Sequence, residues 1–128
     1  MLAGAQTWEM QTSGTTASLR GVSAVSEKVA WASGTGGTYL KTVDGGAHWS
    51  VGKVPDAETL DFRDVQAFSN GTVFLLSIGK AASSRIYKST DSGEHWTLLF
   101  TNPDDDGFFD AMAFWDENHA VVVGDHVG

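Results

Sequence analysis

Large apolar side chains alternate with small or polar ones in three stretches of the chain. These stretches lie at residues 19–25 (LRGVSAV), 62–68 (FRDVQAF) and 108–114 (FFDAMAF). A period of two residues indicates a β-strand that turns one face towards a core. A second β-rich run follows each stretch, at residues 29–33, 72–77 and 119–123. The pattern therefore predicts three pairs of antiparallel strands.

Each of the first two pairs continues into two more predicted strands. The third strand contains Tyr39-Leu40-Lys41 in the first unit and Ile86-Tyr87-Lys88 in the second, and the fourth begins at Trp49 or Trp96. Asn70-Gly71, between the first two strands of the second unit, is a strong hairpin signal. Equivalent positions recur every 43 to 47 residues, which is the period of a four-stranded β-propeller blade.

The sequence therefore predicts an all-β fold, a partial β-propeller of four-stranded antiparallel blades with two complete blades and parts of two others. Within a propeller segment at 7–128, the expected parts are an outer strand at 8–11, blades at 16–54 and 59–101, and an incomplete blade at 107–128. The outer strand begins at Trp8, which stands before Leu19 much as Trp49 stands before Phe62.

Small residues near the start of the chain resemble the sequence before a signal-peptidase cleavage site. The pattern is Ala3-x-Ala5, so residues 1–6 are interpreted either as the remnant of an export signal or as a small-residue tail. The first interpretation predicts an exported protein, periplasmic or secreted.

Charge and composition narrow the choice of partner. Sixteen acidic against eight basic residues give a net charge of −8, and there is no cysteine. Sequence-independent nucleic-acid binding needs clustered Lys and Arg, and anionic membranes attract basic surfaces, so neither partner is expected. Without cysteine, the chain can form neither disulfides nor thiolate metal sites.

The turn between the third and fourth strands carries one pattern twice, TVDGGAHW at residues 42–49 and STDSGEHW at residues 89–96. Ser/Thr-x-Asp-x-Gly-x-x-Trp resembles the Asp-box, or bacterial neuraminidase repeat, of sialidases, sortilin-type receptors and the photosystem II stability/assembly factor family. The chain as a whole is most similar to exported bacterial propellers related to that assembly-factor group. In such propellers the box lies on the outer rim, away from the central channel. The resemblance implies a structural role for the box residues Thr42, Asp44, Gly46, Trp49, Ser89, Asp91, Gly93 and Trp96.

Local physical chemistry explains the pattern in the same way. An Asp side chain can accept hydrogen bonds from the backbone N–H groups that follow it, which holds a turn. Gly46 and Gly93 suit a backbone with positive φ, and the tryptophan is expected to pin the turn against the blade. His48 and His95 occupy variable positions of the motif and are expected to face solvent.

The innermost strand of a propeller blade lines the channel, so its polar residues are the candidate ligand-binding groups. Alignment of the three inner strands pairs Arg20 with Arg63, and Asp64 with Asp110. Arginine suits bidentate capture of carboxylate or phosphate, which favours a site for a protein or carbohydrate ligand. The alternative interpretation is an Arg–Asp network that fastens neighbouring blades.

Catalytic residues of the sialidase type are not assigned within this chain. That chemistry implies an arginine triad and a tyrosine nucleophile. The chain holds three arginines, and Tyr39, Tyr87 and Arg85 all fall on the predicted third strands, away from the channel.

A calcium site is one hypothesis for the loop at residues 102–107. Asn102-x-Asp104-x-Asp106 followed by glycine fits the opening of an EF-hand loop, but Ala113 stands where that pattern requires Glu. A solvated loop is the simpler interpretation. Asp104 and Asp106 are the candidate ligands of such a site, and no cofactor is expected.

Two functions from different classes follow. The first is a non-catalytic propeller segment that acts as a binding or assembly scaffold. The second is part of a sialidase-like glycoside hydrolase whose catalytic residues lie mostly outside this segment. Strands without partners at both ends predict either a homo-oligomer or the remainder of a larger propeller as neighbours.

Overall fold

The computed structural model describes residues 6–126, whose regular structure consists of ten strands and one 3₁₀ turn at Ala81–Ser83. Residues 1–5, which carry most of the predicted export signal, and residues 127–128 lie outside the described residues. None of the residues in this range forms a helix able to span a membrane. The strands are β1 (Leu19–Ala24), β2 (Ala30–Gly34), β3 (Thr38–Thr42), β4 (Ser50–Lys53), β5 (Asp61–Ala67), β6 (Val73–Ile78), β7 (Arg85–Ser89), β8 (Thr97–Thr101), β9 (Phe108–Asp116) and β10 (His119–Asp125).

Consecutive strands pair with one another to form three antiparallel sheets. Strands β1–β4 form blade 1, β5–β8 form blade 2, and β9–β10 form the two described strands of blade 3. The connections within blades are short turns, which favour pairing between neighbours along the chain. The sheets confirm the predicted fold class, with two four-stranded blades inside the ranges 16–54 and 59–101.

Blade 2 packs through one face on the blade before it and through the other on the blade after it, and every blade has the two equivalent faces. We call these its front face and its back face. Trp31 on the back of blade 1 packs with Phe62, Val65 and Leu75 on the front of blade 2, and all four are at most 2% exposed. The interior between these blades is therefore a continuous apolar layer, whose burial stabilises the fold.

The back of blade 2 meets the front of blade 3 in a second apolar layer. Phe74 and Leu76 are buried there with Met112, and Phe114 packs against them. The ring centroids of Phe74 and Phe114 lie 4.6 Å apart. Blade 2 is thus covered on both faces, which explains why strand β6 is almost entirely buried.

Residues 8–11 do not form the predicted outer strand, which is a correction. Trp8 is 100% exposed and Met10 98% exposed. A strand needs the backbone N–H and C=O groups of a neighbour, and none of the described strands pairs with this segment. Gln11 is held by a side chain instead, because Trp49 Nε1 donates to Gln11 Oε1 at 2.9 Å.

Candidate functional site

A β-bulge near the start of each inner strand positions the candidate ligand-binding side chains. In β1, Leu19 lies opposite Gly34 and Gly21 lies opposite Ser33, which leaves Arg20 as the extra residue. A bulge bends the strand and re-aims the side chain at the extra position.

The other two inner strands have the same irregularity at the equivalent place. The extra residue is Arg63 in β5 and Asp110 in β9. Asp110 is therefore equivalent to Arg20 and Arg63, and its predicted pairing with Asp64 is wrong by one residue. A one-residue slip turns every side chain of a strand to the opposite face. The observed register places the large side chains of Met112 and Phe114 in the second apolar layer, where the predicted alignment would have placed alanines.

The bulges and the box turns lie at opposite ends of the sheets. We call the end where β1, β5 and β9 begin the bulge end. The turns at 42–49 and 89–96 lie at the other end, the box end, beside the turns that join the first two strands of each blade. Backbone hydrogen bonds mark this proximity, from Gly45 N to the oxygen of Lys28 at 2.9 Å and from Ser92 N to the oxygen of Gly71 at 3.0 Å.

Two of the four candidate residues make contacts between blades. Arg20 Nη2 lies 3.4 Å from Oδ2 of Asp61, at the start of β5 in the next blade. Asp64 Oδ2 accepts a hydrogen bond from the backbone N–H of Met112 at 3.0 Å, which joins blade 2 to blade 3. These contacts favour the blade-fastening interpretation for Arg20 and Asp64.

The other two candidates are free of such contacts. Arg63 is exposed and Asp110 half-buried, and within residues 6–126 neither side chain has an ion-pair partner. The bulge end therefore presents a guanidinium and a carboxylate on adjacent inner strands. These groups can bind a polar ligand by charge-assisted hydrogen bonds.

The box turns are held by a hydroxyl and a carboxylate acting together. In blade 1, Thr42 Oγ1 donates to Asp44 Oδ1 at 2.9 Å and accepts from Gly46 N at 2.9 Å. Asp44 Oδ1 also accepts from His48 N at 2.9 Å. The N–H groups of Gly46 and His48 are thus satisfied by side chains, as in an Asx-type turn.

Blade 2 repeats this geometry. Ser89 Oγ donates to Asp91 Oδ1 at 2.8 Å and accepts from Gly93 N at 2.9 Å, while His95 N donates to the same carboxylate oxygen at 2.9 Å. The glycines have φ of +91° at Gly46 and +87° at Gly93, in the region that favours glycine.

Each box also contains a histidine–aspartate contact that sequence reasoning missed. Nδ1 of His48 lies 2.7 Å from Asp44 Oδ2, and Nδ1 of His95 lies 2.6 Å from Asp91 Oδ2. Both imidazoles face solvent as expected, with side chains 89% and 86% exposed. The repeated His in the motif, four residues after the Asp, was the available signal.

Hydrogen bonds in the boxes shift the pKa of the acidic groups. The backbone N–H of His48, followed by its ring and the Thr42 hydroxyl, lowers the pKa of Asp44 from 3.8 to about 2. The corresponding donors of His95 and Ser89 lower the pKa of Asp91 to about 2. The hydrogen bond to Asp91 in turn raises the pKa of His95 above 6.5.

The candidate metal loop is closed by its own hydrogen bonds. Asp104 Oδ1 accepts from Asp106 N at 3.0 Å, and its Oδ2 lies 2.9 Å from Nδ1 of His126. Lys80 Nζ lies 3.6 Å from Asp106 Oδ1. The loop's oxygens thus already have protein partners, which favours the solvated-loop interpretation.

A different trio brings potential metal-ligand atoms together in the described part of the chain. Asp91, Glu94 and His95 each place one such atom within 4.8 Å of the others. All three are at the solvent-exposed box end, where Asp91 and His95 already bind each other. Exposed acidic groups of this kind form no site by themselves.

Tyr39, Tyr87 and Arg85 lie on the third strands β3 and β7, two strands away from the inner strands. Tyr39 donates from its hydroxyl to the oxygen of Gly93, between blades 1 and 2. Arg85 donates to the oxygen of Ala82 and to the hydroxyl of Tyr87. Tyr39 thus contacts the next blade, whereas Arg85 and Tyr87 contact groups of their own blade.

Solved structures of β-propellers share this fold. A structure of YCF48 bound to a D1 peptide superposes with a TM-score of 0.76 at 21% sequence identity, and covers 94% of this chain and 39% of that chain. YCF48 from Cyanidioschyzon merolae gives a TM-score of 0.66 at 24% identity, with 84% of this chain and 34% of that chain covered. No protein-family model matches the sequence, and no curated protein is similar to it. The chain has the fold of a β-propeller segment and spans less than two fifths of the propellers that it resembles.

Proposed function

We propose that this chain is a non-catalytic propeller segment that binds a protein partner at the bulge end and acts as an assembly scaffold. The observation that carries the proposal is the line of equivalent bulges, where Arg63 and Asp110 are accessible and free of partners among the described residues. A guanidinium offers paired donors to a carboxylate of the partner, and Asp110 accepts from its N–H groups or cations.

The similar structures support a peptide as the ligand. One of them holds a D1 peptide, and the sequence resembles the photosystem II stability/assembly factor family in its blade and turn patterns. An extended peptide lying along the bulge end would contact successive inner strands. Arg63 would then bind a negatively charged group of that peptide, and Asp110 a positively charged or N–H group on a neighbouring part of it.

The box turns take no part in this proposed binding. We assign them to the Asp-box type, because Thr42 and Ser89 bind the carboxylates of Asp44 and Asp91 in the same way. Their place at the opposite end of the sheets supports a structural role. The proposed location is outside the cytoplasm, on the strength of the Ala3-x-Ala5 pattern.

The sialidase-like alternative gains no support from any particular contact. Its tyrosine and arginine candidates on β3 and β7 lie two strands from the inner strands, and the two inner-strand arginines differ in their partners. Neighbours of the first and last blades belong to the proposal as well, either as further blades of a larger propeller or as copies of the chain.

Fluorescence polarisation with labelled peptides tests the proposal. The probes are the D1 peptide, acidic peptides and their neutral Gln/Asn counterparts, with an oligosaccharide panel as the competing ligand class. We expect binding of a carboxylate-bearing peptide, and a loss of about tenfold or more in affinity for Arg63→Gln. Arg85→Gln is the matched control and should bind like the unmodified chain. Equal binding by all three proteins, or binding only of oligosaccharides, would refute a peptide site at Arg63.

A further inference from the structure

We propose that Asn70 is a site of spontaneous deamidation, at a rate that its contact with blade 3 controls. In this reaction the backbone nitrogen of Gly71 attacks the side-chain carbon Cγ of Asn70. The site lies in the turn between β5 and β6, at the box end and away from the proposed peptide site. Water is the co-reactant, so the folded chain needs no other protein for this modification.

The residue after each asparagine decides how readily a backbone nitrogen can attack its side chain. The chain has three asparagines, and Asn70 is the one followed by glycine. Gly71 has no β-carbon to crowd the cyclic imide as it forms. Asn102 precedes a proline, which has no backbone N–H to lose. Asn118 precedes a histidine, whose side chain crowds the attack. The sequence thus ranks Asn70 as the most reactive of the three.

The reaction balances without an oxidant or a reductant. The nitrogen of Gly71 loses its proton to a base in the solvent and forms a bond to Cγ of Asn70. The bond from Cγ to Nδ2 breaks, and ammonia leaves with a proton from water. Water then opens the cyclic imide at either of its carbonyl carbons, which gives aspartate or isoaspartate. In isoaspartate the main chain passes through the former side chain and is longer by one methylene group.

The turn presents the side chain of Asn70 to solvent. Phe68 N donates to the oxygen of Thr72 at 2.8 Å, which closes the hairpin around residues 69–71. Asn70 is exposed, and Gly71 has a φ of +87°. Water therefore reaches the amide that has to react.

Three hydrogen bonds restrain the reacting groups while the turn is closed. Asn70 Oδ1 accepts from Thr72 N at 3.0 Å, and Gly71 N donates to the oxygen of Phe68 at 3.2 Å. The third bond joins two blades, because Asn70 Nδ2 donates to Glu117 Oε2 at 2.6 Å. These bonds hold both the proton that Gly71 must lose and the nitrogen that must leave. The reaction therefore follows local opening of the turn.

Glu117 gives deamidation a consequence for the contact between blades. A carboxylate accepts hydrogen bonds and donates none, so it holds the amide of Asn70 and repels the carboxylate that replaces it. An attraction between blades 2 and 3 thus becomes a repulsion. Isoaspartate also displaces Gly71, whose oxygen accepts from Ser92 N at 3.0 Å and ties this turn to the second box.

Timed peptide mapping by mass spectrometry measures the reaction in the whole folded chain. Samples are held for days in a mildly alkaline buffer well below the Tm, and each asparagine is followed by the mass gained when NH₂ is replaced by OH. Enzymatic methylation of isoaspartate identifies that product in the same peptides. We expect conversion to both products at Asn70, slower conversion at Asn118 and the least at Asn102. A sample unfolded in guanidinium chloride gives the rate of the open turn.

Matched substitutions of Glu117 test the control by blade 3. Glu117→Ala removes the acceptor and should speed the reaction about fivefold, the factor by which losing one ordinary hydrogen bond raises the open population. Glu117→Gln keeps an oxygen acceptor and should react at close to the rate of the unmodified chain. Circular dichroism verifies that both variants fold.

A variant that carries the product's charge tests the consequence. Asn70→Asp should lower the Tm of the chain, and should lower it less when Glu117→Gln is also present, because one of the two like charges is then absent. Equal losses of Tm in the two backgrounds would show that Glu117 does not repel the new carboxylate.

Other outcomes overturn the proposal. An Asn70 that stays intact in the folded chain, while it converts in the unfolded sample, would show that the fold closes the site. Conversion at Asn118 ahead of Asn70 would contradict the ranking by the following residue. Equal rates in Glu117→Ala and Glu117→Gln would show that the contact with blade 3 does not control the reaction.

Discussion

The hydroxyl of Tyr39 donates a 2.9 Å hydrogen bond to the carbonyl oxygen of Gly93, and so joins the third strand of blade 1 to the box turn of blade 2. The Tyr39 ring lies 5.1 Å from that of Trp96 and 5.8 Å from that of Trp31. The box therefore does more than close a hairpin, because its glycine and tryptophan form a joint with the preceding blade. At the box of blade 1, Gln11 occupies the corresponding place and binds Trp49.

Removal of the Tyr39 hydroxyl should weaken this contact between the blades without leaving a cavity. Tyr39→Phe keeps the ring contacts and loses one hydrogen bond, so we expect the free energy of unfolding to fall by about 1 kcal/mol. Urea denaturation measures the change. Tyr87→Phe is the control, because among residues 6–126 the Tyr87 hydroxyl accepts only from Arg85, on its own strand. An equal or larger loss in the control would show that the joint contributes nothing special.

Ser89 is the buried residue on which the second box depends. Its side chain binds both Asp91 and the N–H of Gly93, and it is 1% exposed. Ser89→Ala leaves buried polar groups unpaired and should cost about 1–3 kcal/mol. Ser89→Thr should be close to neutral, because Thr42 makes the same bonds in blade 1. If thermal or urea unfolding shows that Ser89→Ala and Ser89→Thr are equally stable, the hydroxyl does not hold the turn.

Acid should weaken the boxes in a defined range of pH. The pKa of Asp91 is about 2 in the folded chain against an ordinary 3.8, so its stabilisation is present above pH 3.8 and is lost as the pH falls towards 2. Asp91→Asn should therefore be less stable than the unmodified chain near neutrality, and the gap should close at low pH. A gap that stays constant from neutrality to pH 2 would contradict this linkage.

The stabilisation that His95 contributes in the same box should depend on pH in the opposite direction. Because Asp91 raises the pKa of His95, the stabilisation from the protonated His95 ring is complete below pH 6.5. It is lost as the pH rises through the raised pKa. An NMR titration of the His95 ring should show a higher midpoint in the unmodified chain than in Asp91→Asn. Identical midpoints would mean that the pair is not formed in solution.

Calcium should leave the stability of the chain unchanged. The carboxylates of Asp104 and Asp106 already have His126, Lys80 and backbone partners, so no preformed set of free oxygens awaits a cation. Melting curves with millimolar CaCl₂ and with EDTA should coincide. A clear upward shift in Tm with calcium that Asp104→Asn abolishes would restore the calcium hypothesis.

Local patterns predicted the blades because each strand and turn is determined by its own residues. Alternation located β1, β5 and β9, and the repeated Asp and Gly located the hairpins of the boxes. The prediction of a strand at residues 8–11 was wrong, because pairing depends on a neighbouring strand that no local pattern supplies. Its Trp-x-Met pattern matches a fourth strand, yet Trp8 remains exposed.

The candidate site was less predictable because it depends on register and on contacts between blades. Phe108 and Phe109 offer two alternations that differ by one residue, and only the hydrogen bonds with β10 select the one that places Asp110 at the bulge. Arg20 and Arg63 likewise differ in their contacts, because Asp61 binds Arg20 across the blade interface. Sequence alignment treats the two arginines as the same.

The location of peptide binding is the central claim, and backbone amide chemical shifts during addition of a bound peptide test it most directly. The account predicts that the largest changes fall at the starts of β1, β5 and β9, around Arg20, Arg63 and Asp110, with the box turns at 42–49 and 89–96 unaffected. Changes confined to those box turns would contradict it, and would place the binding surface at the opposite end of the blades.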